Sequence, residues 1–238
     1  MSIYNQIFSL NKYGIEEKSN IMSQKPGAKW LKFFMLPLLL TVGVTVSAQT
    51  RIGIFEKHAD IGPVKHQGSA TFNASTNSYT LTGSGENIWF KKDELHFAWV
   101  PLRGNFLVST EPQLIGAGTD PHRKLGWMVR ASTDTSAAMV CLTVHGDGLT
   151  AFQFRKKAGT NVEEIKIPVH HADVLQLERR GRSFIVSVSK LGLPFWTVEV
   201  PDFDFPEEML VGIFISSHNK EIVEKGIFSN TRVFKALH

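Results

Sequence analysis

Side chains suited to holding a polar ligand crowd the stretch Gly116–Arg155. His122-Arg123-Lys124 precedes one apolar run, and Arg130 closes it. His145-Gly146-Asp147-Gly148 follows a second run, while Gln153 and Arg155 alternate with phenylalanines on a third. Imidazole, amide and guanidinium groups make planar, directional hydrogen bonds to hydroxyls. A flat aromatic beside them would stack on the C–H face of a sugar ring. Trp89 and Trp99 are candidate platforms, and Asn87 and His96 are further polar candidates. Trp127 shares its parity with Leu125 and Val129, so it is expected in the core. The candidate ligand-binding set is therefore Asn87, Trp89, His96, Trp99, His122, Arg123, Arg130, His145, Gln153 and Arg155.

Other chemistries are weighed against this one. The basic trio 122–124 suits an anion such as a uronic acid or a sulfated sugar, or is a solvated loop. Asp120 and Asp147 sit in glycine-containing loops and could ligate calcium, although neither loop has the acidic density of a calcium cage. Glycoside hydrolysis needs two carboxyls across the scissile bond. Glu199 with Asp202 and Asp204 comes nearest, but Pro201 interrupts that strand. Asp93-Glu94 and Glu163-Glu164 are consecutive, so on a strand each pair would point to opposite faces. The same argument separates His170 from His171. No nucleophile elbow, phosphate loop or metal-binding histidine pair occurs. No catalytic or metal residue is assigned, and calcium is the one cofactor considered.

The elements that must position these groups are strands. From Arg51 onward no amphipathic helix is legible, and short apolar runs alternate with turn signals. The expected strands are 52–56, 69–73, 78–82, 95–100, 105–110, 124–131, 137–145, 149–156, 162–167, 174–179, 183–190, 196–200, 209–216 and 226–234, with 87–90 leading out of a loop. Runs 95–100 and 105–110 are expected to pair as a hairpin. Alternation places Arg130, His145, Gln153 and Arg155 on one face, opposite Trp127, Val129, Val140, Leu142, Phe152 and Phe154. The pattern predicts an all-β fold, a two-sheet antiparallel β-sandwich of the jelly-roll kind.

Several motifs are familiar. Gly83–Phe90, Asp93–Phe97, His122–Gly126, His145–Leu149 and Gln153–Arg155 resemble a bacterial family of secreted concanavalin A-like domains, also found ahead of TolB-like β-propellers. Val211–His218 and Gly226–Val233 are similar to the last strands of laminin-G-like and lectin-like sandwiches. The resemblance covers residues 52–236 and implies a concanavalin A-like topology. The family's own function is largely uncharacterised. Its superfamily contains lectins, glycosidases, lyases and interaction modules, so the fold leaves activity open.

Lysines 25, 29 and 32, the apolar run Phe33–Val46 and the ending Val46-Ser47-Ala48 describe a secretory signal peptide over residues 1–48, with Met22 as the expected start. One domain is expected over residues 49–238, secreted or periplasmic, with no membrane span once the leader is cleaved. The leader carries five lysines and two glutamates, so removing its net +3 from the total of +4 leaves +1. Nothing in that balance calls for a nucleic-acid partner. Cys141 is the sole cysteine and sits among apolar residues, which makes it a small buried hydrophobe. The leading expectation is non-catalytic recognition of a carbohydrate, a poly- or oligosaccharide, on the concave sheet. A glycoside hydrolase or polysaccharide lyase is one alternative. A module binding an envelope protein is the other.

Overall fold

A computed structural model describes residues 51–235. The expected leader, with Met22 and the cleavage point, lies outside the described residues. Fourteen strands form: β1 (Lys57–Ile61), β2 (Ser69–Asn73), β3 (Ser78–Gly83), β4 (Leu95–Arg103), β5 (Phe106–Ile115), β6 (Lys124–Arg130), β7 (Met139–His145), β8 (Thr150–Arg155), β9 (Glu163–Ile167), β10 (Val174–Arg180), β11 (Ser183–Ser189), β12 (Trp196–Val200), β13 (Glu208–Ser216) and β14 (Glu224–Lys235). They make two antiparallel seven-stranded sheets, ordered β1-β4-β13-β6-β7-β8-β9 and β12-β11-β10-β5-β14-β3-β2. This is the two-sheet sandwich that the alternation predicts.

The core lies between the sheets. Trp127, Val129, Val140, Leu142, Phe152 and Phe154 of the first sheet meet Tyr79, Val108, Leu177, Phe184 and Phe228 of the second. Each such side chain contributes about 1.5–3 kcal/mol when taken from water. Phe55, from the segment before β1, packs edge-on against both Tyr79 and Trp127. The Tyr79 hydroxyl accepts a hydrogen bond from the Ile54 amide at 3.0 Å, so its polar end is satisfied.

Three local expectations need correction. Residues 52–56 hold only the isolated bridge between Ile52 and Phe55, and the first strand starts at Lys57. Strands β4 and β5 do not pair: β4 lies between β1 and β13, while β5 lies between β10 and β14. The turn at Gly104, with φ of 68°, carries the chain from one sheet to the other. The segment 87–90 is no strand of a sheet. It is joined to Asp93 by a single bridge from Ile88.

That segment covers part of the first sheet's outer face. Ile88 is buried against Phe97, Trp99, Met128 and Cys141, a second apolar cluster outside the main core. The first sheet is therefore covered on both faces over part of its area.

Candidate functional site

Register sets the site. On the outer face of β6, β7 and β8, cross-strand partners form rows. Arg130, Met139 and Arg155 make one row, and Met128, Cys141 and Gln153 the next, which continues to Glu164 of β9. Gly126, Thr143 and Ala151 follow, continuing to Lys166. Lys124 and His145 end the series. The two ends of this face have different fates.

At the arginine end the face is closed. Asp93 reaches down from the covering segment and binds both arginines. Its Oδ2 accepts from Arg130 Nη1 at 2.7 Å and from Arg155 Nη1 at 2.9 Å, and its Oδ1 accepts from Arg155 Nη2 at 2.9 Å. All three side chains are 0% exposed. Apart from a contact of Arg130 Nη1 with Met128 Sδ, the other guanidinium hydrogen bonds go to main-chain carbonyls. Arg130 serves Ser132 and Asp134; Arg155 serves Phe90, Ala137 and Thr160. The expectation that Arg130 and Arg155 face a ligand is thus corrected. They are on the predicted face, but a buried carboxylate and five carbonyls occupy them. Their chemistry is that of a clamp holding loops onto the sheet.

Three more candidates leave the set. His96 is buried, with Nδ1 against Asp60 Oδ1 at 2.7 Å and Nε2 against His58 Nδ1 at 3.1 Å. Burial pushes its pKa down, against the pull of Asp60. A Cβ at Gly68 would lie 2.3 Å from its Nδ1, so the ring is packed under a glycine. Trp99 is 6% exposed and stacks on Phe97 with centroids 5.2 Å apart. Arg123 turns away from the outer face. It donates to Glu224 of the second sheet at 2.6 Å and to the Gly116 carbonyl, tying the two sheets together.

At the other end the face stays open. A cavity of about 260 Å³ brings together Asn87, Trp89, His122, His145 and Gln153 from the predicted set. Lys124, Glu164, Lys166 and His218 line it as well. Small side chains in the row between Gln153 and His145, those of Gly126, Thr143 and Ala151, keep the sheet low there. Trp89 forms part of the wall and is only half-buried, and its carbonyl accepts from the Val162 amide at 2.9 Å.

Each polar group here has a definable role. His145 Nδ1 lies 3.0 Å from the Leu149 carbonyl, so that nitrogen carries the proton. Burial, reinforced by the Lys124 charge, pushes the His145 pKa down to about 3. The ring is therefore neutral at ordinary pH, and Nε2 is a bare acceptor. Gln153 donates to Glu164 Oε2 at 2.7 Å, which fixes both planar groups. Asn87 Oδ1 accepts from the Ile88 amide at 2.8 Å, which leaves its amide nitrogen to donate. At the rim, His122 is 5.3 Å from His218 and 6.3 Å from His145 between ring centroids. Asp120 holds His218 at 3.3 Å and accepts from the His122 amide at 2.7 Å. Burial works to raise the Asp120 pKa, but the bond from the His122 amide and the nearby His218 together lower it.

Lys124, Glu164, Lys166 and His218 were not in the predicted set. Lys124 was weighed only as part of the basic trio 122–124; it opens β6, as the expected strand 124–131 has it, and turns into the cavity. Parity would have found Glu164 and Lys166, since Gln153 and Ala151 are their register partners. Asp120 and Asp147, the calcium candidates, spend oxygens on turn amides, those of His122 and Leu149. No cluster of three potential metal ligands occurs among the described residues. Glu199 lies on β12, the edge of the second sheet, rather than near this cavity's strands.

Comparison with protein-family models gave no match, and comparison with curated proteins gave none either. Solved structures do match. A functionally unknown protein from Saccharomyces cerevisiae superposes with a TM-score of 0.57 at 16% identity, over 79% of this chain and 100% of that one. A carbohydrate-binding module from Bacillus subtilis gives 0.50 at 12%, over 76% and 98%. The lectin UEA-II, in complex with galactose, gives 0.50 at 11%, over 76% and 98%. With two seven-stranded antiparallel sheets of this order, the chain has the concanavalin A-like sandwich fold that its motifs imply.

Proposed function

We propose that this domain binds a carbohydrate in the cavity at the open end of the first sheet. One observation carries the reading: five residues singled out for sugar recognition, Asn87, Trp89, His122, His145 and Gln153, converge there from four separate segments. The chemistry suits a polyol. Trp89 offers an apolar face, His145 Nε2 and Glu164 accept from hydroxyls, and Asn87 and Lys166 donate. Likeness in fold to a carbohydrate-binding module and a lectin supports the same reading. Glu164 is the one carboxylate on the cavity wall, and two-carboxylate hydrolysis needs a pair. Binding without cleavage is the simpler use of this site. A secreted or periplasmic location fits such a ligand, and N-terminal sequencing of the mature protein tests it.

A broad glycan array probed with the full-length protein tests the binding. Specific saccharide signals are expected, with Trp89→Ala and His145→Ala each weakening them about tenfold, which corresponds to about 1.4 kcal/mol. An array without hits would overturn the proposal.

A further inference from the structure

Among the described residues the Lys124 side chain has no partner, and this bears on the ligand. Its side chain stands at the end of the outer-face rows, opposite His145, and lines the cavity. It is only 2% exposed. Among the described residues it makes no hydrogen bond and no ion pair. The carboxylates that it senses at longer range are engaged elsewhere. Asp93 is spent on Arg130 and Arg155, Asp120 on the His122 amide and His218, and Glu164 accepts from Gln153. The neighbouring His145 is neutral and donates to a carbonyl, so it offers the ammonium only Nε2. Burial without a counterion pushes the Lys124 pKa down. The cavity is the side from which such an ammonium can be paired.

We infer that the cavity takes an acidic sugar, a hexuronate residue, whose carboxylate pairs with Lys124 while its ring rests against Trp89. This deepens the carbohydrate reading and rests on it. Charge on the wall supports a monoanion. With His145 neutral, Lys124 and Lys166 face the single carboxylate Glu164 on the cavity wall, an excess of one positive charge among these four groups. The volume of about 260 Å³ lies just below the usual range of ligand sites, roughly 300–1,000 Å³. It holds one ring, as one residue of a longer chain. A free inorganic anion would satisfy Lys124 but would leave Trp89, Asn87 and His145 Nε2 without a role.

The test titrates the full-length protein with three oligosaccharides of one length and linkage: the oligouronate, its carboxyl-reduced neutral counterpart, and a sulfate ester of the neutral form. The oligouronate is expected to bind about tenfold or more tightly than the neutral sugar. Lys124→Met should erase that preference and leave weak binding of the neutral sugar. Equal binding of acidic and neutral sugars by the native protein overturns the uronate inference and leaves the carbohydrate reading standing. Preference for the sulfate ester overturns the carboxylate assignment. Binding of none of the three, together with an empty glycan array, removes the carbohydrate reading itself. The native-protein comparison decides the matter even where the variant fails to fold.

Discussion

Replacing Asp93 by alanine tests the clamp on which the site depends. The carboxylate accepts three hydrogen bonds of 2.7–2.9 Å from two guanidinium groups, with all three side chains 0% exposed. Its removal turns a buried cluster of net +1 into one of net +2, with no water to screen it. Breaking a buried pair in this way costs about 3–5 kcal/mol. With two cations orphaned, the upper part of that range is expected. In a domain of this size each kcal/mol lowers Tm by about 2–4 °C, so Tm should fall by about 8–20 °C. Asp93→Asn keeps the shape but points an amide N–H₂ toward a guanidinium, so it should lose nearly as much. Replacing all three residues with apolar ones should not restore stability, because Arg130 and Arg155 also satisfy five main-chain carbonyls. Urea unfolding followed by tryptophan fluorescence measures each variant. A loss below about 1 kcal/mol for Asp93→Ala would refute the claim that this triad holds the covering segment.

Two further predictions concern titration and access. His145 has its pKa depressed to about 3, so the unfolded chain binds the extra proton first as pH falls below about 6.5. Stability is then full above that pH and drains away toward pH 3, with His145 costing about 3 kcal/mol by pH 4. Unfolding curves of native protein and His145→Asn between pH 4 and 7 should diverge in slope, and parallel curves would refute the assignment. Cys141 is fully buried, with its thiol pushed up to about 12 by burial. Alkylation at pH 8 should therefore proceed at the rate of unfolding; rapid modification of the native protein would contradict this.

How much of this was legible differs from residue to residue. The facing of β6, β7 and β8 follows from the period-two alternation, since Trp127, Leu142 and Phe152 share the core side and Met128, Cys141 and Gln153 the other. Short glycine turns gave the hairpins β7–β8 and β10–β11. The same logic failed at Gly104, because a short connection can change sheets as well as reverse a strand. Parity also could not say what lies on a face. Arg130 and Arg155 are 37 and 62 residues from Asp93, and nothing local records that separation. Asp93 was set aside because its neighbour Glu94 would point the other way. In the structure that opposition is what frees Asp93 to reach the sheet, while Glu94 Oε2 accepts from the Glu86 amide within the covering loop.

The clamp and the cavity are two ends of one arrangement. Asn87 and Trp89 belong to the segment that Asp93 pins, and Arg155 also holds it through the Phe90 carbonyl. Trp89 is thus placed by contacts in the row beside the cavity, from β6, which also carries Lys124, and β8, which also carries Gln153. From the Arg130 row to the Lys124 row is six residues of extended chain, about 20 Å. Direct coupling between charges at that distance is weak in salt. What links the ends is the covering segment: its cationic anchor fixes the aromatic wall while the second cation waits at the open end. A sandwich sheet has identical backbone along its length, so the difference between closed and open ends rests on side chains alone. Two long, forked arginines take up the loop at one end. At the other, glycine, threonine and alanine leave a hollow that a lysine enters without a counterion.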